Sequence, residues 1–245
     1  PPIHLVETSR VLRDSQAARL PTARWHDDID SLPDTGPLLI VANEFFDALP
    51  IRQLVRGEVG WRELMVDHAD GGFTPVAGGP PLDAIVPEEL RDAPPGSVLE
   101  TSPAVQSAAR ALAERIAEQG GAALIVDYGY EGPTTGDSLQ AVSGHAPANI
   151  FAIPGESDLT AHVDFALLEG AGKDAGTQIF GPIAQGDFLR AIGIEARTSV
   201  LARSAPGRRE ELIAARDRLI DPKQMGTLFR TMALVSRNWP EPAGF

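Results

Sequence analysis

The chain contains no cysteine, which excludes disulfides and thiolate-held zinc. No apolar run approaches the roughly 20 residues of a bilayer-spanning helix, so no membrane insertion is expected. Positive charge is scarce. The 21 Lys and Arg stand against 34 Asp and Glu, a formal charge of −13. That balance argues against nonspecific nucleic-acid or anionic-membrane binding and is compatible with a basic protein substrate. Internal repeats, heptads and low-complexity tracts are missing as well. Length is not: 245 residues can bury a large core, the size of one elaborated domain.

The segment Leu38 to Val55, LLIVANEFFDALPIRQLV, carries the most information. Its apolar start, Leu38 to Ala42, stops at Asn43-Glu44, and Phe45, Phe46, Asp47 and the closing Pro50 come next. A short apolar run reads as a strand buried on both faces, as in a parallel sheet. Polar groups at the C-terminal end of such a strand lie where open α/β sheets bind ligands. An amide and two carboxylates held there (Asn43, Glu44, Asp47) suit a cationic or hydrogen-bonding substrate.

The rest of the chain fits a doubly wound sheet. Ile3 to Glu7 reads as a strand ending in an acid, and Ser9 to Leu20 as a helix capped by Ser9. Ala23 to His26 leads into Asp27-Asp28, and Pro33 to Pro37 forms a turn before the Leu38 strand. Ile51 to Val76 changes character to glycine-separated, β-forming segments, expected as antiparallel strands. A short helix is expected around Glu88 to Arg91. Pro103 to Gln119 has proline in its first turn and Gly120-Gly121 at its end, the pattern of a well-delimited helix. Ala123 to Val126 is the next buried strand, ending at Asp127. A long polar region from Gly132 to Gly155 reads as an active-site cover. Helices are expected at Thr160 to Leu168, Gly186 to Ile192 and Pro206 to Ile220, with a closing strand at Phe229 to Val235.

Motif order makes a resemblance specific. ANEFFDALPI resembles the signature of the MidA family. HLVETS (from His4), IVDYGY (from Ile125), GDSLQAVSGH (from Gly136), PGESDLTAHVDF (from Pro154), QGDFLRAIGI (from Gln185) and MGTLFRTMAL (from Met225) occur in the family's order. Members of that family are S-adenosylmethionine-dependent methyltransferases, and the mitochondrial one is an arginine methyltransferase that assists assembly of respiratory complex I. The resemblance implies a class I methyltransferase (Rossmann-like) α/β fold over residues 1–245, with a β insertion at 51–79 and a cover and helical region at 132–222. It also implies S-adenosylmethionine as cofactor and a protein substrate, a complex I subunit by family resemblance. The setting implied is the bacterial cytoplasm, or the mitochondrial matrix of a eukaryote.

One family feature is absent. A glycine-rich loop of the form ELGPGRGTL stands upstream of HLVETS in the family, and this chain has none. Such glycines let the backbone approach the cofactor beside a helix N-terminus. The expectation is a longer protein, with a strand and loop ahead of Pro1; the alternative is a remnant that does not bind cofactor normally. The chain as it stands is expected to lack a central strand and to expose a crevice beside Glu7.

The strand-end acids are the expected site. An acid at the place of Glu7 accepts hydrogen bonds from ribose hydroxyls in nucleotide-binding α/β folds, and its structural alternative is a cap for the Ser9 helix. The resemblance places Asp27 at the adenine amino group, and Asp127 at another strand end facing the same crevice, next to Tyr128. Asn43, Glu44 and Asp47 are the residues for holding substrate. An arginine acceptor is always protonated and needs carboxylates to orient it; on a helical turn, the i, i+3 spacing of Glu44 and Asp47 would put both on one face. His145 is the expected proton acceptor, and His162 a structural histidine in the helix after Thr160. No metal site is expected. The competing readings are a non-catalytic assembly factor that keeps the fold, and an NAD-dependent oxidoreductase, whose ribose Glu7 would serve equally.

Overall fold

A computed structural model of the protein describes all residues except Asp70, His145 and Ile153. The chain opens with β1 (His4–Val6), α1 (Arg10–Arg19) and β2 (Arg24–His26). Ser9 caps α1 by accepting from the Leu12 amide. β1 and β2 pair in parallel as a sheet of their own.

The main sheet begins with β3 (Leu38–Asn43). The expectation that this strand is buried on both faces is corrected. Leu38, Ile40 and Ala42 join the core, whereas Leu39 and Val41 are 75% and 74% exposed. The period of two that places them on opposite faces is intrinsic to the strand; what is missing is a cover for the second face. Among the described residues, β3 pairs with a strand along one edge only.

The Ile51 region forms the expected antiparallel hairpins. β4 (Arg52–Arg56), β5 (Trp61–Ala69) and β6 (Gly72–Gly78) are joined by β7 (Val98–Thr101), which the sequence does not announce, in the order β6-β5-β4-β7. Leu54, Trp61, Val86 and Leu99 make a small core of their own there.

α2 (Pro103–Gln119) has Ser102 as N-cap, and buries Val105, Ala109, Leu112, Ala113 and Ile116. This spacing is one helical face. β8 (Gly121–Tyr130) is the central strand. It pairs in parallel with β3, from Gly121 opposite Leu38 to Val126 opposite Asn43. Gly121 sits at φ +116°, and a Cβ there would lie 1.9 Å from the Leu38 carbonyl oxygen, so only glycine allows this close start.

The Gly132 to Gly155 region contains β9 (Gln140–Ser143) and β10 (Ala146–Ala148), with β11 (Asp158–Thr160) completing a small antiparallel sheet. The helix expected from Thr160 does not start there. β12 (Val163–Asp164) first pairs with the far end of β8, and Asp164 then caps α3 (Phe165–Ala175) through the Ala166 amide. α2 and α3 bury their apolar faces in the same core cluster as β3 and β8. β13 (Gln178–Ala184) precedes α4 (Gln185–Ala191), α5 (Ile194–Ser204), α6 (Arg209–Ile220) and α7 (Met225–Leu228). β14 (Phe229–Val235) returns to pair antiparallel with both β8 and β13. Among the described residues no helix is long and apolar enough to cross a membrane.

Ser102 joins the fold to the segment after β3. Its hydroxyl accepts from the Val105 amide and donates to the Pro50 carbonyl at 2.7 Å. Replacing it by alanine removes a cap and leaves a carbonyl unpaired, which costs about 1–2 kcal/mol. A urea titration of Ser102→Ala checks this: the midpoint falls, and an unchanged midpoint contradicts the assignment.

Candidate functional site

The site grows from the end of β3. Immediately after Asn43 the backbone turns through Glu44 at φ +48°, the one described non-glycine residue in the left-handed region. Such a conformation costs about 1–3 kcal/mol and persists where its surroundings over-determine it. Here the Glu44 amide donates to the Val126 carbonyl of β8 at 2.9 Å. The Asn43 amide group donates to the Glu44 carboxylate at 3.3 Å, and both side chains are exposed. Phe46 then drops into the core at 1% exposure.

Asp127 fixes the backbone just beyond this turn. Its side chain is 0% exposed. One carboxylate oxygen accepts from the Phe46 amide at 3.0 Å and the Asp47 amide at 3.3 Å, and the other from the Tyr128 amide at 3.0 Å. Expected as a cofactor contact at an open crevice, Asp127 is instead a buried clamp with no surface to offer a ligand. Strand-end position is what the sequence reveals, and the inward pleat at this residue is what it hides. Burial, and next the charge of Asp47, push this carboxyl up to about 7, against the pull of the amide bonds.

Asp47 also lies inside, at 4% exposure. The segment after Glu44 is a series of turns rather than a helix. Glu44 and Asp47 therefore do not share a face: one is exposed and the other faces β8. The Tyr128 hydroxyl donates a short hydrogen bond to the Asp47 carboxylate. Burial raises this carboxyl, and the Tyr128 bond opposes the rise. Tyr128 itself is held edge-on by the rings of His162 and Phe229, with centroids 5.4 and 5.3 Å away. His162 lies on the extended segment between β11 and β12, not in a helix. His145 lies outside the described residues.

The first two strands carry the other expected acids. Glu7 comes directly after β1, and its carboxylate accepts from the Ser9 amide at 2.9 Å and from the Gln16 side chain at 3.2 Å. A carboxylate has about four acceptor positions, so these bonds brace the start of α1 and still leave lone pairs for hydroxyl donors. Asp27 comes directly after β2, is exposed, and pairs with Arg13 at 2.6 Å. Arg13 also donates to the Glu7 and His26 carbonyls. One guanidinium thus ties together the ends of β1 and β2. No motif in the sequence marks Arg13, although its place one turn beyond the Ser9 cap puts it beside Glu7.

A third buried acid anchors the cover. Glu100 on β7 accepts from the Gln53 side chain, from the Ser138 amide and hydroxyl, and from the Leu139 amide. Asp137 is bound by the same Gln53 at 2.8 Å. The GDSL segment is therefore fastened to the β4–β7 sheet. No cluster of three or more metal-ligating side chains occurs among the described residues.

Residues 2–183 match the model of a family described as "Putative S-adenosyl-L-methionine-dependent methyltransferase". The protein named "Protein arginine methyltransferase NDUFAF7, mitochondrial" is 39% identical in Danio rerio over 86% of this chain and 50% of its own length. The Homo sapiens protein of the same name is 33% identical over 95% of this chain and 58% of its own length. The chain thus spans about half to three fifths of these relatives. A Burkholderia thailandensis crystal structure, described as a likely methyl transferase bound to S-adenosyl-homocysteine, superposes with a TM-score of 0.83 at 28% identity. It is matched over 99% of this chain and 66% of its own.

The clamp has a measurable signature. Its carboxyl is raised from 3.8 to about 7 in the fold. Its contribution to stability is therefore full below the unfolded value and is lost as pH rises through about 7. Carbon-detected NMR of the side-chain carboxyls should show a buried aspartate pair with one apparent midpoint near 7. Midpoints all below about 5 would remove the electrostatic account of this pair.

Proposed function

We propose that this chain, which belongs to the S-adenosyl-L-methionine-dependent methyltransferase family, transfers a methyl group to an arginine of a protein substrate. The observation that carries the reading is the Asn43-Glu44 turn, an exposed amide and carboxylate held in a strained conformation at the C-terminal end of β3. Acceptor oxygens at the ends of β1 and β2 suit the hydroxyl and amino donors of an adenosyl group, so Glu7 and Asp27 fit the cofactor. S-adenosylmethionine, when bound, supplies an electrophilic methyl group on a sulfonium.

Glu44 orients the guanidinium through charge-assisted hydrogen bonds, and Asn43 fixes the Glu44 carboxylate. Holding the acceptor nitrogen in line is the main service such a site renders, since orientation alone can supply about 7–11 kcal/mol. Asp47, too deep to touch the acceptor without rearrangement, contributes from behind the turn. The names of the Danio rerio and Homo sapiens relatives support arginine as the acceptor. The family resemblance further suggests a respiratory complex I subunit as the substrate, and a matrix or bacterial cytoplasmic setting.

Calorimetry of the full-length protein with S-adenosylhomocysteine and with NAD, followed by methylation of an arginine peptide by labelled S-adenosylmethionine, tests the reading. S-adenosylhomocysteine should bind and NAD should not. Binding without methylation favours an assembly factor, and binding of NAD alone favours an oxidoreductase.

Two substitutions locate the roles. Glu7→Ala in the intact protein should weaken S-adenosylhomocysteine binding by about 1.5–3 kcal/mol while the domain stays folded; an unchanged dissociation constant would reduce Glu7 to a strand-end acid. Glu44→Gln should lower kcat/KM for the peptide by roughly 10–100-fold, the same loss of a charge-assisted bond. Full activity in Glu44→Gln would remove the turn from the site.

A further inference from the structure

The turn after β3 conceals a charge that the proposed methyl transfer leaves without a precise task. Asp47 and Asp127 are both buried, and among the described residues no Lys, Arg or His nitrogen lies within 4.0 Å of either. Buried charges are ordinarily paired or neutralised. Asp127 is compensated by the backbone amides of Phe46, Asp47 and Tyr128. Asp47 is less completely served: one oxygen takes the Tyr128 hydroxyl, the amides of Ala48 and of Asp47 itself bear on the carboxylate, and its other oxygen, Oδ1, has no partner of hydrogen-bond geometry among the described residues. A native buried acceptor left unpaired calls for an explanation.

We propose that Tyr128 is a positioning residue that fixes the Asp47 carboxylate behind the Asn43-Glu44 turn as a buried negative charge, and that this charge selects a cationic methyl acceptor over a neutral one of the same shape. The inference rests on the reading of the turn as the acceptor site. Glu44 alone is an exposed carboxylate, whose attraction for a guanidinium is screened by water. A second charge inside the protein acts through a less polarisable medium and loses less to screening. The Tyr128 hydroxyl is what makes this charge sustainable. Its bond favours the ionised form of Asp47, opposing burial, which favours the neutral form.

Among the described residues, the other groups around Asp47 do not supply a counter-charge. Asp158 beside it disfavours ionisation, Asp127 lies on β8, and Thr160 bears on the Tyr128 hydroxyl. His162 contacts the Tyr128 ring. Among the described residues the cluster holds carboxyls and no basic group besides His162, and a cationic acceptor complements it.

The test compares N-acetyl-arginine amide with N-acetyl-citrulline amide, its neutral isostere, by titration in the presence of saturating S-adenosylhomocysteine. The wild type should prefer the arginine probe by at least about tenfold, the factor one hydrogen bond to a charged group supplies. In Tyr128→Phe the preference should fall severalfold, while the affinity for S-adenosylhomocysteine stays within about twofold of wild type, since the proposed cofactor contacts Glu7 and Asp27 bond to other groups than this pair. The acid limb of arginine binding should move to higher pH, because loss of the hydroxyl lets Asp47 protonate sooner; a merely structural role would leave that limb in place. Should Tyr128→Phe not fold, Asp47→Asn reads the same quantity and should narrow the preference equally. An arginine preference that survives intact in the folded variant overturns the inference and leaves the methyltransferase reading standing. A wild type that binds S-adenosylhomocysteine but shows no arginine preference overturns the choice of acceptor and the inference together.

Discussion

A single carboxylate buried at the end of the central strand decides the local shape of the site. Asp127 accepts from the amides of Phe46, Asp47 and Tyr128, and so ties β8 to a segment some 80 residues earlier in the chain. Hydrogen bonds to a charged group are worth about 1.5–3 kcal/mol each. Burial raises this carboxyl to about 7 and so opposes that gain, which leaves the set to hold the segment after Glu44 in its non-helical course. Phe46 is locked in the core and Ser102 holds the Pro50 carbonyl, while Asn43 and Glu44 stand exposed where the turn leaves β3.

That arrangement links packing to chemistry. The apolar face shared by α2, α3, β3 and β8 supplies rigidity, and the polar clamp converts rigidity into aim. Two further polar anchors repeat the device elsewhere in the fold. Arg13 gathers the ends of β1 and β2, and Glu100 gathers the cover segment and the β4–β7 sheet. Each uses a charged side chain to satisfy groups that local structure leaves free.

Much of this is legible in the residues, unevenly so. α2 is readable because its start and stop signals and its apolar period agree. The pairing of β3 with β8 is foreshadowed by two apolar runs ending in acids. α5 escapes notice because only Thr198 is buried along it, so no apolar stripe exists to be read. The Thr160 segment misleads because a Thr ahead of an Asp and apolar residues resembles a cap. The cap in fact sits at Asp164, after a pairing with β8 that sequence spacing does not encode. Among the site residues, the location of Asn43, Glu44, Asp47 and Asp127 at strand ends is legible. Which of them faces outward is not, since a left-handed residue at Glu44 shifts the register of every side chain after it. The exposure of Leu39 and Val41 is equally hidden, because a strand's pattern reports its apolarity and not the presence of a cover.

The central claim is that ligand binding is organised by the ends of β1, β2 and β3, with Glu44 at the reacting end. A crystal structure of the protein with S-adenosylhomocysteine tests it most directly. The account predicts a ligand lying across those strand ends, its ribose hydroxyls within hydrogen-bond distance of the Glu7 carboxylate and its sulfur facing the Asn43-Glu44 turn, with Asp127 still buried. A ligand bound away from these strands, against β13 or β14, or one contacting Asp127 directly through an opened turn, would contradict it.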